Sequence, residues 1–269
     1  MKNKISQLIS LLLVCFAAAG GAAAQTADFV FRPGRVAVGT VYHYVKTNVD
    51  GTQPENISLY IAGENRIESL KYHAKGERAG LVIAEMDWAA FLPKRLESWQ
   101  VLSQSEKRLF ATLTFNPAEK AVEVSIPAMR PKPEMAPIGR LPFHLYNFDL
   151  ASLNVSFPHL ADPKGSFTVG IADPTFKQDG PMFAYRGELR VAFERDETHG
   201  GVKCRRYSAA GPGIGNGKGT IWVNKKLGHI EDMEFDVANN PDWKTFKLKL
   251  RRIEKMSGEA WQRFIASQF

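Results

Sequence analysis

Among the residues able to do chemistry, the glycine-rich run from Gly211 to Gly219 (GPGIGNGKG) comes first, because it looks like a phosphate loop. Its spacing fails. A phosphate loop needs a glycine five residues before the final Gly-Lys pair, and position 212 is proline. Lys218 is followed by Gly219 where Ser or Thr would hold a magnesium ion, and the next residues, Thr220-Ile221-Trp222-Val223, read as a strand. No helix N-terminus follows to hold an anion, so a turn or bulge is expected. The six histidines (His43, His73, His144, His159, His199, His229) share no metal-ligand spacing and include no H-E-x-x-H. No G-x-S-x-G elbow occurs. Asp232, Glu234 and Asp236 alternate with Met233, Phe235 and Val237, as on a solvated strand face. Cys204 sits in the alternating run VKCRRY and is expected to be a buried structural thiol. No catalytic, cofactor-binding or metal-binding residue is therefore assigned, no ligand-contacting residue is named, and no cofactor is expected.

The elements that would position any site are strands. Period-two alternation dominates, most clearly in FAYRGELRVAFE (183–194). There Phe183, Tyr185, Leu189, Val191 and Phe193 share one face, and Arg186, Glu188, Arg190 and Glu194 the other. Phe246, Leu248 and Leu250 alternate with Lys247, Lys249 and Arg251. Leu109, Ala111, Leu113 and Phe115 lead through 116–120 into Val122, Val124 and Ile126, a hairpin with a five-residue loop. Similar segments at 35–46, 57–62, 66–72, 80–86, 95–103, 202–207, 219–224 and 229–237 bring the total to about a dozen strands. Strands that are dry on one face and wet on the other belong to antiparallel sheets.

Helical spacing is scarce. Residues 149–160 carry Leu150, Leu153 and Phe157 at helical spacing, with Asp149 as the N-cap candidate and Pro158 limiting the length. At the C-terminus Ser257 can cap a helix with Trp261, Phe264 and Ile265 on one side. Neither piece is long enough to cover the dry face of such a sheet, which must roll, fold over or leave a cavity. Five prolines at 127, 131, 133, 137 and 142 mark an extended connector at 127–142. The five tryptophans (88, 99, 222, 243, 261), and Tyr42 and Tyr44 on one strand face, fit core packing better than a sugar platform.

The first 24 residues read as a cleavable signal peptide. Lys2 and Lys4 precede an apolar stretch, and Ala22–Ala24 supply the small residues before Gln25. Val14 and Phe16 around Cys15 are a poor context for lipidation. Cleavage near Ala24 would leave 245 residues, a net charge of +5 and Cys204 as the one cysteine. The expectation is a periplasmic, unanchored, disulfide-free chain forming a single β-rich domain over 25–269. With its modest charge spread out and no basic stripe interleaved with aromatics, it is not expected to bind nucleic acid.

Two segments resemble a known group. They are GTIWVNKKLGHIEDMEF (219–235) and the chain of one-sided strands over 36–101. Their pattern resembles exported bacterial proteins of unassigned function with half-barrel folds, which are similar to the periplasmic lipoprotein carriers and their outer-membrane acceptors. The resemblance implies a mainly β fold, in which a large curved antiparallel sheet (half-barrel or open barrel) wraps one or two short helices and holds an acyl chain in an apolar concavity. The expected function is binding of a lipid or other apolar ligand. The alternatives are an envelope scaffold that engages a protein partner and, last, a hydrolase acting on an envelope component.

Overall fold

The computed structural model describes residues 27–73, 79–175, 179–237 and 243–269. Residues 1–24, which the sequence suggests are a signal peptide, lie outside them. Among the described residues, fifteen strands form one sheet. They are β1 (Thr40–Thr47), β2 (Glu55–Gly63), β3 (Arg66–Tyr72), β4 (Ala79–Asp87), β5 (Leu92–Val101), β6 (Lys107–Asn116), β7 (Ala121–Ser125), β8 (Glu134–Pro137), β9 (Phe143–Leu145), β10 (Ser166–Pro174), β11 (Phe183–His199), β12 (Val202–Ala210), β13 (Lys218–Asn224), β14 (Ile230–Phe235) and β15 (Phe246–Lys255). Helix α1 (Ala151–Ser156) lies between β9 and β10, and α2 (Gly258–Ala266) ends the chain. The order is β8-β7-β6-β5-β4-β3-β2-β1-β15-β14-β13-β12-β11-β10-β9, so two meanders join where β1 pairs with β15. Every neighbouring pair is antiparallel except β9 with β10, which is parallel. The mainly β, curved-sheet architecture is as expected, with that one parallel pair added.

The sheet is open, and its edges are β8 and β9. They are drawn together without a ladder. Phe115 on β6 meets Phe143 on β9 with ring centroids 5.5 Å apart. The backbone N–H of Met182, just before β11, donates to both carboxylate oxygens of Glu134 on β8 at 3.0 Å. The chain crosses from one edge to the other through 138–142. The proline-rich segment is thus not wholly unpaired, as the sequence suggested: its residues 134–137 form β8 against β7. An edge strand tolerates proline because only one side of it needs N–H donors.

Alternation sorts the side chains as expected. Tyr42, Tyr44, Ile57, Leu59, Leu113, Val124, Leu189, Val191, Ile221, Met233, Phe246 and Leu248 all belong to, or pack on, one large inner cluster. Two readings along the strands fail for local reasons. A bulge in the β5–β6 ladder between Ser98 and Trp99 adds Phe110 to β6, so Leu109 turns out to solvent at 43% exposure. Strand β10 escaped notice because Val169–Ala172 are buried without alternation and Gly170 interrupts the run. That glycine is needed: a Cβ there would lie 2.6 Å from the Arg140 carbonyl oxygen, where β9 approaches. The glycine loop is a short turn, with 3-10 geometry at Pro212–Ile214, packed on β11. A Cβ at Gly211 would collide with the Glu188 carbonyl oxygen.

The outer face of β1–β5 carries a second apolar cluster, covered by α2. Ser257 caps this helix as predicted, its Oγ accepting from Ala260 N at 3.2 Å. Trp261 is fully buried, stacks on Tyr60 at 5.0 Å and donates through Nε1 to Glu68 Oε2 at 2.8 Å. Trp261→Ala should lower stability by about 3–5 kcal/mol, as aromatic truncations in cores do. Chemical denaturation at neutral pH checks it.

Candidate functional site

The inner face of the sheet is covered by residues 143–160, which form β9, a 3-10 turn (Tyr146–Phe148), α1 and a second 3-10 turn (Phe157–His159). Phe143, Leu145, Phe148, Leu150, Leu153 and Phe157 all enter the inner cluster. The covering is incomplete. Between β4–β7 and this segment lies an apolar groove of about 490 Å³ including its mouth. Val82, Leu96, Phe110, Ala111, Leu113, Val124 and Ile126 form its strand wall, and Leu145, Phe148 and Pro174 the opposite side. Ser98 and Asn147 are its two polar members. A hollow of about 190 Å³ shares Leu96, Leu113 and Leu145 and prolongs the groove towards Phe115 and Phe143. Pockets that bind small molecules are mostly apolar, with a few polar groups. The Phe110 bulge contributes directly, since it aims this ring into the groove rather than away from it.

Behind the polar end of the groove lies a network of buried charge. Lys46 and Lys71 occupy dry-face positions that continue the runs Tyr42-x-Tyr44-x-Lys46 and Ile67-x-Ser69-x-Lys71. Lys71 Nζ pairs with Asp149 Oδ2 and donates to the Asn147 carbonyl oxygen. Lys46 Nζ lies 3.7 Å from Asp149 Oδ1, 3.3 Å from Glu55 Oε2 and 4.0 Å from the centre of the Trp243 ring. The Asn147 N–H donates to Asp173 Oδ1 at 2.6 Å, and Arg186 Nη1 to Asp173 Oδ2 at 2.7 Å. Burial raises the Asp173 carboxyl to about 6, against the opposing pull of Arg186 and the Asn147 N–H.

Asp149 does not cap α1, contrary to the sequence reading. Asp149 and Leu150 both have left-handed backbone, with φ 51° and 52°, and the helix begins only at Ala151. Such angles cost about 1–3 kcal/mol for a bulky residue and persist where the surroundings compel them. Here the compulsion is visible on both sides. Asp149 is turned to the two lysines, and the fully buried Leu150 side chain is turned into the core. On the other side of α1, Asn154 donates to Tyr44 Oη at 3.1 Å and accepts from Ile230 N at 2.8 Å.

The histidines disperse. His144 Nδ1 lies 2.7 Å from Ser152 Oγ, fully buried, and burial pulls its imidazole down to about 3. His159 Nδ1 accepts from Arg32 N at 3.1 Å. His43 meets Glu254, His199 meets Asp232, and His229 meets Glu231. His73 stacks on Trp243 at 6.2 Å. Among the described residues no three His, Cys, Asp or Glu side chains gather as a metal would need. Asp232 is a correction: it is 2% exposed, held by His199 at 3.0 Å, and does not face solvent. Cys204 is buried as expected, and burial pushes its thiol up to about 11. Trp88, Trp222, Trp243 and Trp261 are buried, in keeping with packing roles.

No family model matches the chain, and no curated protein matches it. Solved structures do. A DUF1329 family protein from Desulfovibrio piger is similar over 87% of this chain and 93% of its own, at 11% identity and a TM-score of 0.29. An outer membrane lipoprotein-sorting protein domain from Vibrio parahaemolyticus is similar over 88% and 94%, at 9% identity and a TM-score of 0.23. At such scores they assign no residue a role, and the site must be read from its own geometry.

Two outcomes follow from the buried groups. Asp149→Asn keeps a residue that tolerates left-handed backbone but takes from Lys71 its carboxylate partner and leaves Lys46 to Glu55, so it should cost about 3–5 kcal/mol, and Asp149→Asn with Lys71→Met should cost less than the single change. Denaturant midpoints of the three proteins decide it. His144 is neutral in the folded state and protonates below about 6.5 when unfolded, so its contribution is complete above pH 6.5 and is lost as pH falls towards 3. Between pH 7 and 4 the wild type should lose roughly 3 kcal/mol more than His144→Asn. Unfolding free energies at both pH values measure the difference.

Proposed function

We propose that the chain is a periplasmic carrier that binds an acyl chain in the groove between β4–β7 and the 143–160 segment. It would be exported by residues 1–24 and act as a single β-rich domain thereafter. The observation that carries this reading is the groove itself: an apolar slot with two polar members, left by a covering segment too short for the sheet it covers. Nothing catalytic is required of it. Three buried groups with displaced pKa values, His144, Asp173 and Cys204, are not among the residues of its strand wall.

The energetics are adequate. Each buried methylene contributes about 0.8 kcal/mol, so ten would give about 8 kcal/mol before the cost of immobilising a flexible chain. Micromolar or weaker dissociation constants follow. The ligand's polar end would meet Ser98 or Asn147. No helix among the described residues is long and apolar enough to cross a membrane.

Delipidated full-length protein should bind a fluorescent fatty acid saturably with a micromolar dissociation constant. Ala111→Phe, which fills the groove from its strand wall, should weaken binding at least tenfold while leaving the circular dichroism spectrum unchanged. Absence of saturable binding, or binding untouched by this substitution, would contradict the proposal.

A further inference from the structure

A second pocket lies apart from the groove, where the N-terminal segment, the 157–163 turn, β12 and the β13–β14 turn meet. Its volume is about 590 Å³ including its mouth. Arg32, Arg35, Arg205, Lys225 and Lys226 all line it. Like charges converging on one hollow repel, so a fold tolerates them where carboxylates or a bound anion offset them. One carboxylate, Asp196, does so in part, and Arg205 is among the cations acting on it. Asp196 Oδ2 takes Lys225 Nζ at 2.6 Å. Among the described residues, Arg32, Arg35, Arg205 and Lys226 have no salt-bridge partner.

Their positions are nevertheless fixed. Arg32 Nη1 donates to the carbonyl oxygens of Leu160 at 3.1 Å and Pro158 at 3.4 Å. Arg35 Nη1 donates to the Lys226 carbonyl oxygen at 3.4 Å. Those bonds orient the guanidinium groups and leave their charge unneutralised. Arg205 sits two residues before the buried Tyr207, on the same face of β12, and its Nε is buried without a hydrogen-bond partner. The field of these groups reaches inward. His159, beside the pocket, is held down to about 4 first by burial and then by the charges of Arg32 and Arg35.

We propose that this pocket binds a phosphate group, with Arg205 and Lys226 as its principal contacts. A dianion matches the excess of unpaired cations better than a single carboxylate does, and planar guanidinium groups suit phosphate oxygens in paired hydrogen bonds. The phosphate could arrive free, as the dianion, or as the headgroup of an anionic lipid, a monoanionic diester with two unesterified oxygens. Neither source depends on the groove being occupied.

The test uses the full chain in a phosphate-free buffer at low salt. Inorganic phosphate is titrated by calorimetry, and sedimentation is measured with vesicles of phosphatidylglycerol or, as control, phosphatidylcholine. Saturable phosphate binding identifies a free anion as the ligand. Sedimentation with phosphatidylglycerol alone identifies a headgroup. In either case Arg205→Gln and Lys226→Ser should each weaken binding at least tenfold, and added salt should weaken it further. Lys226 is exposed, so its replacement leaves the fold intact if Arg205→Gln does not. The proposal is overturned if neither probe binds beyond the control, or if Lys226→Ser binds as the wild type does.

Discussion

Everything in this fold answers to one constraint: a fifteen-stranded sheet with a continuous apolar face has to keep that face from water. A closed barrel would do so by packing strand against strand. This sheet stays open, with β8 and β9 as edges, and covers its inner face with residues 143–160. That segment is irregular, because it must fit a concave surface rather than propagate a helix. Its six-residue helix is flanked by 3-10 turns and two consecutive left-handed residues. Tertiary contacts, not helix propensity, hold a piece this short.

Polar anchors hold the covering segment in register. Asp149 reaches Lys71 and Lys46, Asn154 reaches β1 and β14, His144 reaches Ser152, and Tyr146 Oη donates to Val237 O at 3.1 Å. A slab of leucines could slide over the sheet. Buried hydrogen bonds and ion pairs accept one arrangement, because any slip leaves charge unpaired in a medium of low dielectric. A rigid covering segment also fixes the width of the groove beside it.

Most of the architecture was legible because period two survives in nearly every strand. The hairpin around Pro117, the wet and dry faces of β15, the Ser257 cap and the buried Cys204 all lie where local pattern puts them, whereas a bulge in β11 turns Arg186 from the wet face to buried Asp173. What stayed hidden depends on partners distant in sequence. Strand β10 is enclosed on both faces and so loses alternation. Asp149 has the spacing of an N-cap, and only the lysines 78 and 103 residues upstream reveal its role. A faint signal was present: in both β1 and β3 a lysine takes the next dry-face position, which calls for a buried acid to meet it. The groove left no mark of its own, since the residues that line it are ordinary core types and the Phe110 bulge depends on ladder register.

The central claim is that the groove holds an acyl chain against the strand wall. The most direct measurement is nuclear magnetic resonance on methyl-labelled protein with a carbon-13 fatty acid. Intermolecular Overhauser contacts from the chain methylenes to the methyl groups of Leu96, Leu113, Val124 and Ile126 are predicted, with the chemical shifts of α2 on the outer face unchanged. Contacts confined to other surfaces, or none at saturating ligand, would contradict the account.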